Sequence, residues 1–184
     1  MLEKQKSDVK IAPLVFILKA AAQGPGSTPH ASAAPCPKTA ASLIMKKYIH
    51  IGVAVDTPGT WWFLWCVTST RRASTSCLAI WPRSSKKARA GKLTAADMQG
   101  GCFTISSLGG IGGTSFPIVN APEVAILGVS KSEMKPKWNG KEFVPRLMLP
   151  LALSYDHRVI DGADGARFVT TLSGVLSDIR RLVL

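Results

Sequence analysis

The stretch SYDHRVIDGADGARF, Ser154 to Phe168, decides how the rest of the chain is interpreted. It closes an apolar run, Pro145 to Tyr155, whose composition predicts a buried strand. His157 therefore falls at a strand end, where the chain turns towards a helix, and α/β folds commonly place their chemistry at such ends. In this turn Gly162 permits a positive φ, and the carboxylate of Asp161 can hold backbone N–H groups or a neighbouring arginine.

The spacing H-x-x-x-D-G favours a chemical role for His157. An imidazole is a competent general base near neutral pH, and a carboxylate that orders its loop would keep it in place. The alternative is a structural histidine at a strand end. Because an ordering Asp-Gly pair follows at a fixed distance, we favour the general base.

The 184 residues suit one domain, and 46% apolar residues suffice for a core. Periodicity and turn residues predict the elements along the chain. They are a helix over Ser7–Ala22, a strand in the run Tyr48–Pro58, a Gly91 helix stop with a short helix capped by Thr94, a strand in CFTISS, a hairpin turning at Asn139–Gly140, and a closing amphipathic helix over Gly165–Leu182.

The net charge of +12 would suit an anionic partner. A nucleic-acid binder that stacks bases on Trp61, Trp62 and Trp65 is therefore an alternative to an enzyme. However, the basic residues form no periodic stripe, so we expect no nucleic-acid partner.

Compartment and metal binding follow from the cysteines and the apolar runs. The four cysteines fit neither a zinc pattern nor a disulfide framework, which predicts free thiols in a reducing compartment and no metal. The start MLEKQKSDVK lacks the apolar core of a signal peptide. Arg71 and Arg72 interrupt the apolar run Trp61 to Ile80, so we expect no transmembrane helix and no membrane partner.

A family resemblance rests on LPLALSYDHRVIDGADGARF together with GGCFTISSLGG, PIVNAPEVAILGVSKSEMKPKWNGKEFVPRLMLP and LSDIRRLVL. These stretches resemble the dihydrolipoyl acyltransferases, the core enzymes of 2-oxo acid dehydrogenase complexes, whose wider family includes chloramphenicol acetyltransferase. The similarity covers Lys86 to Leu184, Ser7 to Ala21 and Leu43 to Pro58, and is greatest to bacterial acetyltransferases of the pyruvate dehydrogenase complex.

The resemblance implies a fold and a reaction. The fold is an α/β two-layer sandwich with a mixed sheet, like that of chloramphenicol acetyltransferase. The reaction is acetyl transfer between dihydrolipoamide and coenzyme A. His157 would take the proton of the attacking thiol, Ser106 would donate to the oxyanion, and Asp161 would hold the loop.

The resemblance also implies the setting of the enzyme. Lipoate would be carried on lipoyl domains absent from this chain, and coenzyme A would be a substrate. The chain would form a homotrimer, with the histidine and the serine meeting across the interface, within a larger cytoplasmic core that also binds decarboxylase and dihydrolipoyl dehydrogenase components. The catalytic domain would be N-terminally truncated, lacking an arginine that pairs with Asp161. An inactive assembly core and a succinyl-specific enzyme remain as alternatives.

Two segments, Gln23–Ala41 and Gly59–Ser84, do not resemble the family, although their flanks do. The second contains TWWFLWC, and since tryptophan has one codon, a one-base shift can be followed through it. The shifted run can encode Leu-Val-Val-Pro-Val-Val, which resembles the family at this place. We therefore expect residues 1–184 to form a partial catalytic domain in which residues 23–41 and 59–84 are read out of frame, the alternative being true divergent insertions.

Overall fold

A computed structural model describes residues 13–23, 33–35, 43–57, 60–66, 86–88, 90–94, 100–109, 112–113 and 116–182. The main helices are α1 (Pro13–Gln23) and α2 (Gly162–Ser177), and a 3₁₀ turn follows at Ile179–Leu182. The strands are β1 (Ala33–Pro35), β2 (Leu43–Met45), β3 (Ile51–Thr57), β4 (Thr60–Cys66), β5 (Phe103–Ser107), β6 (Ala125–Val129), β7 (Glu133–Trp138), β8 (Phe143–Met148) and β9 (Leu151–Tyr155).

Five of the strands form one sheet in the order β4–β3–β5–β6–β9. The three central strands run parallel, whereas β4 and β9 pair antiparallel at the two edges. The strands β1 and β2 form a separate pair, as do β7 and β8. The mixed sheet predicted from the sequence is confirmed.

The two faces of this sheet differ because successive side chains point to opposite sides. One face is apolar and packs against the helices, where its residues form the buried core: Ile51, Val53, Phe103, Ile105, Ala125, Leu127 and Val129. The opposite face carries mostly small residues: Gly52, Ala54, Thr104, Ser106, Ile126, Gly128, Ala152 and Ser154. The helices and the sheet thus make the two expected layers.

Helix α2 closes the core through its inner face. Phe168 and Leu172 are buried, and the ring of Phe168 lies 5.5 Å from that of Phe103 between centroids. The prediction of one helix up to Leu182 is wrong. Asp178 is extended, with φ −137° and ψ 101°, so the helix ends at Ser177 and only the 3₁₀ turn follows.

The prediction of one buried strand over Pro145–Tyr155 is also wrong. The chain breaks into β8 and β9 around Pro150, which has no N–H to donate to a ladder. β8 pairs with β7 and is largely exposed, and only β9 joins the main sheet. The predicted hairpin turn is confirmed: Gly140 has φ +103°, and the Asn139 side chain accepts two backbone N–H groups.

In the first half of the chain, some predicted elements are confirmed and others lie outside the described residues. Helix α1 is confirmed over Pro13–Gln23, whereas residues 7–12 of the predicted helix lie outside the described residues. The strand predicted in the run Tyr48–Pro58 is confirmed, although it begins only at Ile51; it ends at Thr57, just before Pro58. Gly91 has φ +66° and follows a helical turn at residues 86–88, whereas the short helix expected after Thr94 lies outside the described residues.

The two segments expected from the sequence to be out of frame, residues 23–41 and 59–84, are described only in part. Within residues 23–41 the structure places the end of α1 and the short strand β1. Within residues 59–84 it places β4, which pairs with β3 along its whole length. Residues 24–32, 36–42 and 67–85 lie outside the described part.

Candidate active site

His157 lies on the turn that joins β9 to α2, as predicted. The preceding residue, Asp156, donates its N–H to the Val124 carbonyl at 2.8 Å, which extends the sheet ladder one step past β9. The Asp156 carbonyl then accepts the N–H groups of Val159 and Ile160, both at 3.0 Å. The backbone on both sides of His157 is therefore held, while its side chain is exposed.

The imidazole of His157 lies beside the ring of Tyr155, and this ring packs closely against Gly165 of α2. The ring of Tyr155 lies 5.7 Å from that of His157 between centroids. A Cβ on Gly165 would meet Cε1 of Tyr155 at 2.9 Å, closer than side chains tolerate. Only glycine lets α2 pack this tightly against the tyrosine. Sequence patterns do not predict this contact, because Gly165 resembles any other residue of a predicted helix.

Asp161 caps helix α2. Its carboxylate accepts the N–H of Asp164 at 2.8 Å, and this hydrogen bond is the main reason that its pKa is lowered. Capping thus fulfils one of the two predicted uses of the carboxylate, the capture of backbone N–H groups. The positive φ predicted for Gly162 is wrong, because Gly162 begins the helix and has ordinary backbone geometry.

A second carboxylate of the motif holds the neighbouring arginine. Asp156 and Arg158 form an ion pair with a shortest distance of 2.6 Å between Oδ2 and Nη2. The arginine side chain lowers the pKa of Asp156 to about 2. This ion pair is not among the sequence predictions, although Asp156 and Arg158 flanking the histidine could have indicated it.

Ser106 lies on the small-residue face of the sheet, at the opposite end from His157. It is level with Gly128 and Ala152 in the strand register. His157 is five residues beyond Ala152, which is roughly 16 Å along the strand direction, and β6 lies between the two strands. One chain therefore brings Asp161 and His157 onto the same turn but does not bring Ser106 to them.

A cavity of about 420 Å³ opens at the carboxyl ends of β5 and β6, on the helix-packed face of the sheet, opposite to the face that carries Ser106. Its polar lining comes from Ser107, Ser130, Lys131 and Ser132. Pro13, Leu14 and Ile17 of α1 supply an apolar wall. Hydroxyls and one ammonium beside an apolar surface suit a ligand with a polar head and an aliphatic arm.

Neither a metal cluster nor a membrane span is found in the ranges given above. Among those residues, no three His, Cys, Asp or Glu side chains converge as metal ligands would. No described helix has the length and apolar character needed to cross a bilayer.

A mixed sheet covered by helices on one face, with a turn and a long helix after its edge strand, is the fold of the chloramphenicol acetyltransferase type. A solved chloramphenicol acetyltransferase matches 89% of this chain and 77% of that one, with a TM-score of 0.60 and 14% identity, which supports the fold alone. The chain belongs to the family described as 2-oxoacid dehydrogenases acyltransferase (catalytic domain), whose sequence model matches residues 1–184.

Among curated relatives, the acetyltransferase component of the pyruvate dehydrogenase complex of Haemophilus influenzae is 60% identical over 99% of this chain. That of Pseudomonas aeruginosa is 54% identical over 98%. The succinyltransferase component of the 2-oxoglutarate dehydrogenase complex of Azotobacter vinelandii is 37% identical over 100%. The chain spans only 32%, 33% and 46% of these three proteins, respectively.

Solved structures agree with these relatives. The cubic core of a pyruvate dehydrogenase multienzyme complex matches with a TM-score of 0.92 and 51% identity, covering 97% of this chain and 74% of that one. The dihydrolipoamide acetyltransferase of Azotobacter vinelandii, studied for the catalytic roles of a serine, a histidine and an asparagine, matches with a TM-score of 0.92 and 50% identity, over the same shares of the two chains.

Proposed function

We propose that residues 1–184 are a partial catalytic domain that transfers an acetyl group between dihydrolipoamide and coenzyme A in a pyruvate dehydrogenase complex. The observation that carries the proposal is the fixed turn that presents His157 on this family's fold. Greater identity to acetyltransferase than to succinyltransferase relatives supports acetyl as the acyl group.

In the reaction, His157 takes the proton of the attacking thiol. From the reference acidities of a thiol and an imidazole, this transfer is uphill by roughly 3 kcal/mol, a cost that positioning of the thioester can offset. The sulfur then bonds to the thioester carbon and the carbonyl becomes an oxyanion. When the intermediate collapses, the carbon–sulfur bond of the leaving thiol breaks and the imidazolium returns the proton to that thiol.

Ser106 donates to the oxyanion, and it does so in a second copy of the chain. The distance between Ser106 and His157 within one chain supports a site shared between copies. In the Azotobacter enzyme the studied histidine and asparagine are four positions apart, as His157 and Asp161 are here. Asp161 thus occupies the place of that asparagine, and we assign it the task of holding the turn.

The β7–β8 hairpin supports assembly of copies. Cross-strand pairs put its apolar residues on one face: Met134 with Leu147, Pro136 with Pro145, and Trp138 with Phe143. Phe143 and Leu147 are 69% and 68% exposed, and an isolated two-stranded ribbon is only marginally stable in water. A neighbouring copy covers this face in the homotrimer that we propose, and trimers build the larger core.

The remaining components follow from the same proposal. We assign coenzyme A to the cavity at the carboxyl ends of β5 and β6, with Lys131 near its phosphates. Lipoate arrives on lipoyl domains outside this chain. Decarboxylase and dihydrolipoyl dehydrogenase components bind the core, and the complex is cytoplasmic.

We also propose that residues 23–41 and 59–84 are read out of frame. A strand at Thr60–Cys66 is compatible with the chain as written and with the shifted Leu-Val-Val-Pro-Val-Val. Resequencing the DNA that encodes Lys19 to Lys87 tests this. Frame-restoring bases would support the shift, and bases that stand as written would refute it.

The function is tested with purified protein, dihydrolipoamide and either acetyl-CoA or succinyl-CoA. We expect acetyl transfer to exceed succinyl transfer and to fall about 100-fold or more in His157→Ala, the usual effect of losing a general base. Oligomer size is measured on the same samples. A well-assembled protein without transfer would identify an inactive assembly core instead, and preferred use of succinyl-CoA would overturn the acetyl assignment.

A further inference from the structure

A buried carboxyl with no part in the proposed chemistry lies just before β6. Glu123 is only 4% exposed, and its Oε2 accepts a hydrogen bond from Oγ1 of Thr104 at 2.6 Å. Within the described residues, its Oε1 is buried without a hydrogen-bond partner. An unpartnered buried oxygen is costly when it carries charge, so the protonation state of this group matters to the fold around it.

The titratable groups around Glu123 come from two other segments. Lys46, Tyr48 and His50 precede β3, and Cys102 precedes β5. The Cys102 thiol donates to the Tyr48 carbonyl at 3.2 Å and accepts weakly from the His50 N–H at 3.5 Å. Burial raises the pKa of Cys102 and lowers that of His50, so both are neutral near pH 7. Lys46 is therefore the cation that acts on Glu123.

These influences leave Glu123 titrating close to neutral pH. Burial raises its pKa to about 7, although the hydrogen bond from Thr104 and the charge of Lys46 both act to lower it. The carboxyl is thus largely protonated at pH 6 and largely ionised at pH 8 and above.

Glu123 connects to the catalytic turn by a short path. Its neighbour Val124 offers the carbonyl that accepts the Asp156 N–H at 2.8 Å. Asp156 directly precedes His157. The contact between Glu123 and Thr104 therefore fixes the start of β6, and the start of β6 fixes the strand end from which the histidine is presented.

We propose that Glu123 is a positioning residue for His157, and that loss of its proton loosens the start of β6 and shifts the turn that carries the imidazole. This inference rests on the proposed function for its consequence, the rate of acyl transfer. The structural part of it, a proton-dependent start of β6, stands without that function.

The direction of the effect follows from the charge. Below pH 7 the neutral carboxyl keeps its hydrogen bond with Thr104 and has little need of other partners. Above pH 7 the ionised carboxyl has one hydrogen bond in a buried place, so conformations that open the start of β6 to water gain population. Transfer therefore falls on the alkaline side, because the turn that carries His157 is less well held.

The test is kcat for acetyl transfer from pH 6 to pH 9 in the assembled protein. Glu123→Gln keeps the shape and cannot ionise, so its kcat relative to the unaltered protein is expected to rise about tenfold between pH 6 and pH 9. Thr104→Val removes a contact that lowers the pKa of Glu123, so the alkaline fall should move to higher pH. Asp178→Asn, which removes one exposed carboxylate at the far end of α2, is the matched control and should leave the profile unchanged.

Hydrogen exchange by mass spectrometry separates this inference from the proposed function. After correction for intrinsic rates, peptides covering residues 124–127 and 155–160 should lose protection between pH 6 and pH 8 in the unaltered protein but not in Glu123→Gln. That result without any transfer activity would refute the proposed function and keep the positioning role of Glu123 in the fold. Equal profiles and equal protection in the two proteins would overturn the inference.

Discussion

Because Gly165 of helix α2 contacts Tyr155, replacing this glycine should displace the residues of the catalytic turn. In Gly165→Ala the added Cβ would stand 2.9 Å from Cε1 of Tyr155, whereas ordinary contacts begin at 3.4 Å, so the ring must retreat by at least about 0.5 Å. Overpacking of this kind costs about 1–3 kcal/mol, and alanine in place of glycine within a helix returns about 1 kcal/mol. We expect a net loss of about 1 kcal/mol.

The larger effect should be on activity, because the Tyr155 ring supports the imidazole of His157. A misplacement of 1 Å can cost about 100-fold in rate, so a shift of half that size predicts roughly a tenfold fall in kcat. Gly174→Ala is the matched control: its Cβ meets only the flexible end of Arg181, at 3.3 Å, and it should gain about 1 kcal/mol with kcat unchanged.

Urea denaturation and acetyl-transfer kinetics on the two variants give both quantities. If Gly165→Ala were stabilised as much as Gly174→Ala and kept full activity, the close packing of α2 against Tyr155 would not position His157.

Two further substitutions probe the cap and the assembly face. Asp161→Ala should lower the midpoint of thermal unfolding at pH 7; because the pKa of Asp161 is lowered in the folded protein, the difference from the unaltered protein should shrink as the pH falls below about 4. A pH-independent difference would show that the carboxylate does not act as a charged cap. Leu147→Glu should leave the far-ultraviolet circular dichroism unchanged but reduce the mass seen in light scattering, since Leu147 is 68% exposed on the apolar face of the hairpin. If this variant still formed full-size assemblies, the apolar face of the hairpin would not be covered by a neighbouring copy.

The sequence predicted the elements whose signals are local. The Asn139–Gly140 turn, the Gly91 stop and the strand end before His157 follow from residue chemistry within a few positions. Asp161 was expected to hold backbone N–H groups, and it does so as a helix cap. The parts of the fold set by these local rules were therefore accessible without coordinates.

The errors arose where tertiary contacts override composition. The apolar run Pro145–Tyr155 predicts burial, but Pro150 divides it and β8 is paired only with β7. Likewise, no pattern in the sequence shows that Gly165 packs against Tyr155 or that Glu123 meets Thr104, because each contact depends on how separate elements pack in three dimensions. The separation of Ser106 from His157 was implied by the family resemblance, and the strand register gives its distance within one chain.

The central claim is that one active site takes its histidine and its serine from different copies of the chain. It is tested most directly by co-expressing His157→Ala and Ser106→Ala chains in equal amounts and measuring acetyl transfer in the mixed oligomers. With random mixing, about a quarter of the sites pair an intact His157 with an intact Ser106, so activity should return to about a quarter of the unaltered level, far above either variant alone. Mixed oligomers no more active than the two separate variants would contradict the shared site.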